Sequence, residues 1–185
     1  MKKTALILSI ILLLLALAAC DNTPANPPPE EPPVLYSGPT RRETTEDYSL
    51  VLPREWQAQT SGDDNSVIFA KEADTEIKTS VSITKHELDP YLFKTSEEDF
   101  AALYSSVFDK FDLIRFDNNC SVADKPGLIA EANYEHEKHP VTSRLVFVNS
   151  QENTYLLVFT SLKEHYDADQ AEFNLIQQSF SLKES

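Results

Sequence analysis

Seven of the chain's eleven prolines fall between Asp21 and Thr40, in a stretch with almost no apolar side chains. A segment of that composition cannot bury enough surface to offset the entropy of ordering it, so it is expected to stay extended and outside any core. Folding is thereby confined to residues 41–185, about the length of one ordinary domain with one core. At about 3.1 Å per residue in the polyproline conformation, the twenty residues before that domain reach up to about 60 Å. They read as a tether.

What the tether is tied to is written just ahead of it. Lys2 and Lys3 give a positive start, and Ala5 to Ala19 is an uncharged run interrupted only by Ser9. A membrane-spanning helix needs about 20 apolar residues, so this run is short for a span; ending at small residues, it has the form of a cleaved secretory signal over residues 1–19. Its last three residues with their successor, Leu17-Ala18-Ala19-Cys20, resemble the lipobox of bacterial lipoproteins. The resemblance implies that the Cys20 thiol is diacylglycerylated and that Cys20 becomes the new amino terminus, so that residues 20–40 comprise a lipid anchor and its spacer. Each buried methylene contributes about 0.8 kcal/mol, so two acyl chains hold a protein that one holds only marginally. Asp21, directly after the cysteine, resembles an inner-membrane retention signal if the cell is Gram-negative.

Without residues 1–19 the chain has 14 basic and 30 acidic residues, a formal charge of −16, since that segment contains two lysines and no acid. Such a chain is unsuited to gripping phosphate backbones, which excludes nucleic acid as a partner. It is also repelled by anionic headgroups, so lipid on Cys20 rather than surface charge must hold it at a membrane. With Cys20 acylated, Cys120 is the one remaining cysteine, and the domain has no internal disulfide. The flanking Asp117-Asn118-Asn119 and Ser121 bring no cation to favour a thiolate, so Cys120 reads as a spare thiol in a partly covered loop.

Within the domain, Tyr48-Ser49-Leu50-Val51-Leu52-Pro53 alternates and then meets a proline, marking a short strand. After Trp56 and a turn at 61–65 that includes Asp63 and Asp64, Val67 to Ala70 forms another. From Ile77, the residues Ile77, Thr79, Val81 and Ile83 alternate with Lys78, Ser80, Ser82 and Thr84, predicting a strand with one wet face. Thr95-Ser96-Glu97-Glu98-Asp99 opens a helix with a capping box. Its apolar stripe of Phe100, Leu103, Tyr104, Val107, Phe108 and Phe111 predicts that it runs through Phe111. Leu128 to His136, Val141 to Val148 and Thr154 to Ser161 are three more strands. The last two form a hairpin whose two-sided hydrophobicity places them at the centre of the sheet. Asp167 to Phe180 closes the chain as a helix, with Asp169 and Glu172 in capping-box spacing. The order β-β-β-α-β-β-β-α makes this an α+β domain, an antiparallel sheet flanked by helices.

The run Tyr48-Ser49-Leu50-Val51-Leu52-Pro53-Arg54-Glu55-Trp56 is similar to the opening motif of the PsbP-like family, a tyrosine, an alternating apolar strand, a proline and a tryptophan. That family includes the photosystem II extrinsic protein, bacterial lipoprotein relatives and a fold-mate that binds the Ran GTPase. Tyr155-Leu156-Leu157-Val158-Phe159 and Gln178-Ser179-Phe180 resemble its carboxyl-terminal pattern. The resemblance implies an α-β-α sandwich over residues 45–182. Family members usually have glycine where this chain has Glu55, which puts the turn there in question.

Chemistry-bearing motifs are sparse. Gly38, Gly62 and Gly127 are the only glycines, which rules out a glycine-rich phosphate cradle or a GxSxG elbow. His136-Glu137-Lys138-His139 lacks the spacing of a zincin and ends a strand rather than riding a helix. Glu135, His136, Glu137 and His139 can still converge on a divalent metal at a hairpin tip, against the simpler reading of a solvated turn. Asp167 and Asp169 fail the calcium-loop pattern, because its sixth and twelfth positions are Glu172 and Gln178, and they read as helix caps. The expectation is therefore a non-enzymatic, membrane-anchored, extracytoplasmic lipoprotein that acts as a protein-interaction or assembly module and needs no cofactor. The alternative is a small-ligand or divalent-metal-binding lipoprotein using Glu135, His136 and His139. A hydrolase with a site assembled from distant loops is the third reading.

Overall fold

The computed structural model describes residues 35–62, 65–72 and 77–183. The expected signal, Cys20, most of the tether and the Asp63–Asp64 turn lie outside the described residues. The described residues belong to one compact unit, Pro33–Ser185.

The chain order is β1 (Thr40–Thr44), β2 (Tyr48–Pro53), β3 (Gln57–Gln59), β4 (Ser66–Ala70), β5 (Ser80–Glu87), a short 3-10 turn (Leu92–Lys94), α1 (Glu97–Ser105), β6 (Asp109–Val122), β7 (Lys125–His136), β8 (His139–Asn149), β9 (Asn153–Leu162), α2 (Tyr166–Ser179) and β10 (Ser181–Leu182). Seven strands pair antiparallel in the order β3-β4-β5-β9-β8-β7-β6, and β1-β2-β10 form a second, smaller sheet. This is the expected α+β architecture, with two sheets where one was read from the sequence.

Side-chain alternation assigns the layers. Val81, Ile83, Val146, Val148, Leu157 and Phe159 turn to one face of the large sheet and join Phe173 and Ile176 of α2 with Leu50 and Leu52 of the small sheet. Leu128, Ala130, Leu145 and Phe147 turn to the other face, under Phe100 of α1. Residues 141–148 of β8 are buried without a break, as a strand covered on both faces requires. On β5, Val81 and Ile83 are buried while Ser80, Ser82 and Thr84 are half-exposed, which is the expected wet face. The motif residues Tyr48, Leu50, Pro53 and Trp56 are all buried, so the motif is one of packing. Glu55 adopts no positive φ, so the turn before Trp56 tolerates a side chain where the family has glycine.

Three expectations are corrected. The first helix stops at Ser105 instead of continuing to Phe111. Ser96 caps its start by accepting from the Asp99 N–H, but at its end Ser105 and Ser106 turn their hydroxyls back onto the carbonyls of Ala101 and Leu103. Beyond that point, pairing with β7 claims the chain for β6, whose Phe, Leu, Ile and Val side chains suit a pleated surface. Phe108 and Phe111 still join the stack that begins at Phe100 and Tyr104, but from outside the helix. Second, the segment around Asp117-Asn118-Asn119-Cys120 is not a loop. It lies within β6, whose register shifts at Asp109/Asp112, Leu113/Arg115 and Asp117/Cys120 absorb residues that a flat strand would not. Third, α2 is capped by neither Asp167 nor Asp169. Its N-cap is His165, which makes no side-chain cap bond, and Asp169 and Glu172 turn inward.

Two hairpins close through two-residue turns, Ala123–Asp124 and Glu137–Lys138, with φ of 53° and 58°, and of 49° and 71°. Positive φ at both positions suits the right-handed twist of the strands, but side chains with a Cβ oppose it. Replacing Glu137-Lys138 by Asn-Gly should therefore raise stability by roughly 1–2 kcal/mol. The gain is read as a higher urea midpoint at unchanged slope.

Candidate functional site

The β7–β8 turn brings two of the sequence-nominated residues together. His136 and His139 are direct cross-strand partners on either side of it. His136 is exposed, and His139 is half-buried beside a small cavity of about 200 Å³ shared with Pro140, Leu162 and Glu164. Glu135 is engaged elsewhere. Its carboxylate accepts a short hydrogen bond from the Lys110 ammonium, which raises the Lys110 pKa. Among the described residues no group of three or more His, Cys, Asp or Glu side chains is placed to hold a metal ion.

Cys120 sits half-buried in β6 opposite Gly127. A Cβ on Gly127 would come within 2.9 Å of Val122 Cγ2 and 3.3 Å of the Cys120 sulfur, so the glycine makes room for that thiol. Burial, and then the charge of Asp117, push the thiol's pKa up. The setting disfavours the thiolate that nucleophilic chemistry needs.

The sequence does not show where the interior polar groups meet. Asp169 and Glu172 lie three residues apart on the inward face of α2, both buried. Glu172 accepts from the Trp56 indole N–H at 2.7 Å and from Lys71 Nζ at 2.8 Å. Asp169 accepts from the Ser161 hydroxyl at 2.6 Å and the Thr79 hydroxyl at 2.8 Å, with Lys71 Nζ at 3.5 Å. Burial opposes the charge on Lys71, but the hydrogen bond to Glu172 and the two neighbouring carboxylates outweigh it and raise the Lys71 pKa. One turn further along α2, Arg144 of β8 is buried beneath the helix. Its Nε donates to Glu131 at 2.8 Å, and its terminal nitrogens donate to the side-chain oxygens of Gln170, Asn174 and Gln177. In both clusters every charge meets an opposite charge or a dipole, as buried ions require. These groups bind helix to sheet.

A second concavity lies at the opposite end of the sheet from the histidine turn. It is an open cleft of about 1130 Å³ between the β6–β7 and β8–β9 turns, the end of α2 and the carboxyl-terminal strand. Its wall carries Lys85, whose ammonium donates to both oxygens of Asp47 at 2.9 and 3.0 Å, and Lys183, which donates to the Thr45 carbonyl. Ser179 Oγ accepts from the Val51 N–H at 2.9 Å and donates to the Ile176 carbonyl at 3.1 Å. The lining is polar and carries four acids, Glu46, Asp47, Asp124 and Glu152, against three lysines, Lys85, Lys125 and Lys183.

Comparison with solved structures agrees with this architecture. The solution structure of cyanobacterial PsbP (CyanoP) from Synechocystis sp. PCC 6803 superposes with a TM-score of 0.58 over 91% of this chain and 99% of its own, at 11% identity. The fold is PsbP-like. A protein of unknown function from Pseudomonas aeruginosa, PA94, matches with a TM-score of 0.54 at 14% identity, covering 80% of this chain and all of its own. LpqN, involved in cell envelope biogenesis of Mycobacterium tuberculosis, shares the PsbP-like fold with a TM-score of 0.51 at 13% identity, over 83% of this chain and 90% of its own. No protein-family model matches the chain, and no curated protein does. Among the described residues no helix is long and apolar enough to cross a membrane.

Lys71→Met leaves Asp169 and Glu172 without their cation and should cost roughly 2–4 kcal/mol, between the values for an exposed and a fully buried pair. Denaturant unfolding measures it, and adding Glu172→Gln should recover part of the loss. Separately, the Tyr48 hydroxyl is buried without a hydrogen-bond partner, and burial pushes its pKa up to about 12 from 10.0. Above pH 10 the unfolded chain releases this proton and the folded chain keeps it, so stability is complete below pH 10 and declines towards pH 12. Tyr48→Phe should flatten that alkaline decline without loss of stability at neutral pH.

Proposed function

We propose that this protein is a lipid-anchored, extracytoplasmic lipoprotein whose PsbP-like domain is a non-enzymatic module for protein interaction or assembly. One observation carries the reading: a short apolar run ends in Leu17-Ala18-Ala19-Cys20 and leads through a proline-rich spacer into a single folded domain. Lipid on Cys20 places the domain at a membrane, and the spacer lets it reach partners away from that surface. The fold it shares with LpqN, a protein of cell envelope biogenesis, agrees with that setting. Its buried charges are spent on holding helix to sheet, as a rigid presenting domain needs.

A second reading has its own observation. The register that sets His136 against His139 gives two imidazoles on one face of a hairpin, an arrangement that suits a borderline transition metal with water completing its shell. Because Glu135 is held by Lys110, the histidines would act as the ligand pair.

Crosslinking in the native cells should recover a specific protein partner from the wild type and lose it in Cys20→Ala, which removes the anchor. Recovery of no partner from the wild type contradicts the interaction reading. For the second reading, Zn²⁺ should raise the melting temperature of the parent and not of His136→Ala/His139→Ala. An unchanged parent rules it out.

A further inference from the structure

Exposed apolar side chains are unevenly spread over this domain. Of the seven large hydrophobic residues exposed among the described residues, five lie between positions 88 and 114: Leu88, Tyr91, Leu103, Val107 and Ile114. Scattered exposed hydrophobics are ordinary, but a concentration on one segment marks a surface that something covers. Leu103 and Val107, 61% and 69% exposed, stand four residues apart, Leu103 in the last turn of α1 and Val107 in the turn just past its end at Ser105. Their neighbours Tyr104 and Phe108 are turned into the aromatic stack against Phe111 and Tyr134, so the core does not use this surface.

We infer that this surface at the end of α1 is a docking strip for a cationic, amphipathic segment of a partner protein. The inference rests on the protein-interaction reading above and names the chemistry of the partner. Charge selects the occupant. Between Glu97 and Asp112 the chain carries five acids, Glu97, Glu98, Asp99, Asp109 and Asp112, against one lysine, Lys110, which is bound to Glu135. An apolar strip on so acidic a segment repels an anionic bilayer and repels a second copy of itself, and it attracts a segment that presents leucines beside lysines or arginines.

The test uses the purified full-length lipoprotein in neutral detergent with two helical peptide probes, one of leucine and lysine and one of leucine and glutamate in the same apolar pattern. The wild type should bind the Leu/Lys peptide and not the Leu/Glu peptide, with affinity falling as salt rises. Leu103→Ser/Val107→Ser should weaken that binding about tenfold or more, as expected when two anchors are lost from a small interface. Leu35→Ser, which removes an exposed leucine outside the strip, should not weaken it. An unchanged thermal melt for each variant separates loss of binding from loss of fold. Equal binding by Leu103→Ser/Val107→Ser and wild type overturns the proposal, as does equal binding of the two peptides or self-association abolished by the same substitutions. If cellular crosslinking finds a partner on another surface, the interaction reading stands and the strip falls. If the strip binds the peptide but the cell yields no partner, the interaction reading is what fails.

Discussion

Asp169 and Glu172, one turn apart on α2, are the attachment on which the rest of the domain depends. Between them they hold Trp56 after β2, Lys71 after β4, Thr79 before β5 and Ser161 of β9. A single helical turn thereby gathers segments spread over more than a hundred residues of chain. A buried carboxylate left unpaired is strongly unfavourable, so the sites of these donors are narrowly determined. Apolar packing of Phe173 and Ile176 brings the helix to the sheets, and the polar contacts set its register. Arg144 repeats the logic further along the same helix, with Glu131 and three side-chain amides around it.

That construction has a consequence for function. Buried charges are committed to the frame, and at the sheet end Lys85 is held by Asp47 and Lys183 by a carbonyl. The described part of this molecule also presents a polar cleft at one end of the sheet, a pair of histidines at the hairpin of the other end, and exposed apolar side chains at the end of α1.

Much of the fold was legible in the sequence wherever periodicity and burial agree. The β5 alternation, the two-sided apolar runs of β8 and β9 and the helix at 166–179 each reflect a single dominant environment. What stayed hidden was decided by distant partners. The stripe from Phe100 to Phe111 has the period of a helix, yet from Asp109 onward the chain pairs with β7. No local pattern distinguishes the two, because Phe108 and Phe111 serve the same aromatic stack from either conformation. Asp117-Asn118-Asn119 has the composition of a loop and becomes strand only through a bulge whose cause lies across the sheet. Asp169 and Glu172 have the spacing of a capping box. Only the tertiary arrival of Trp56, Lys71, Ser161 and Thr79 makes them interior ligands. The histidine turn was legible as a turn, since Pro140 and the polar run bound it, whereas the Lys110–Glu135 contact depends on β6 lying alongside.

Whether lipid on Cys20 holds the PsbP-like domain at a membrane is decided by intact mass spectrometry of the protein isolated from its native membranes, with sequencing of the modified amino-terminal peptide. The expected result is a chain that begins at Cys20, lacks residues 1–19 and carries the added mass of a diacylglyceryl group on that cysteine. A mature chain whose Cys20 bears no lipid, or one that retains residues 1–19, would contradict it.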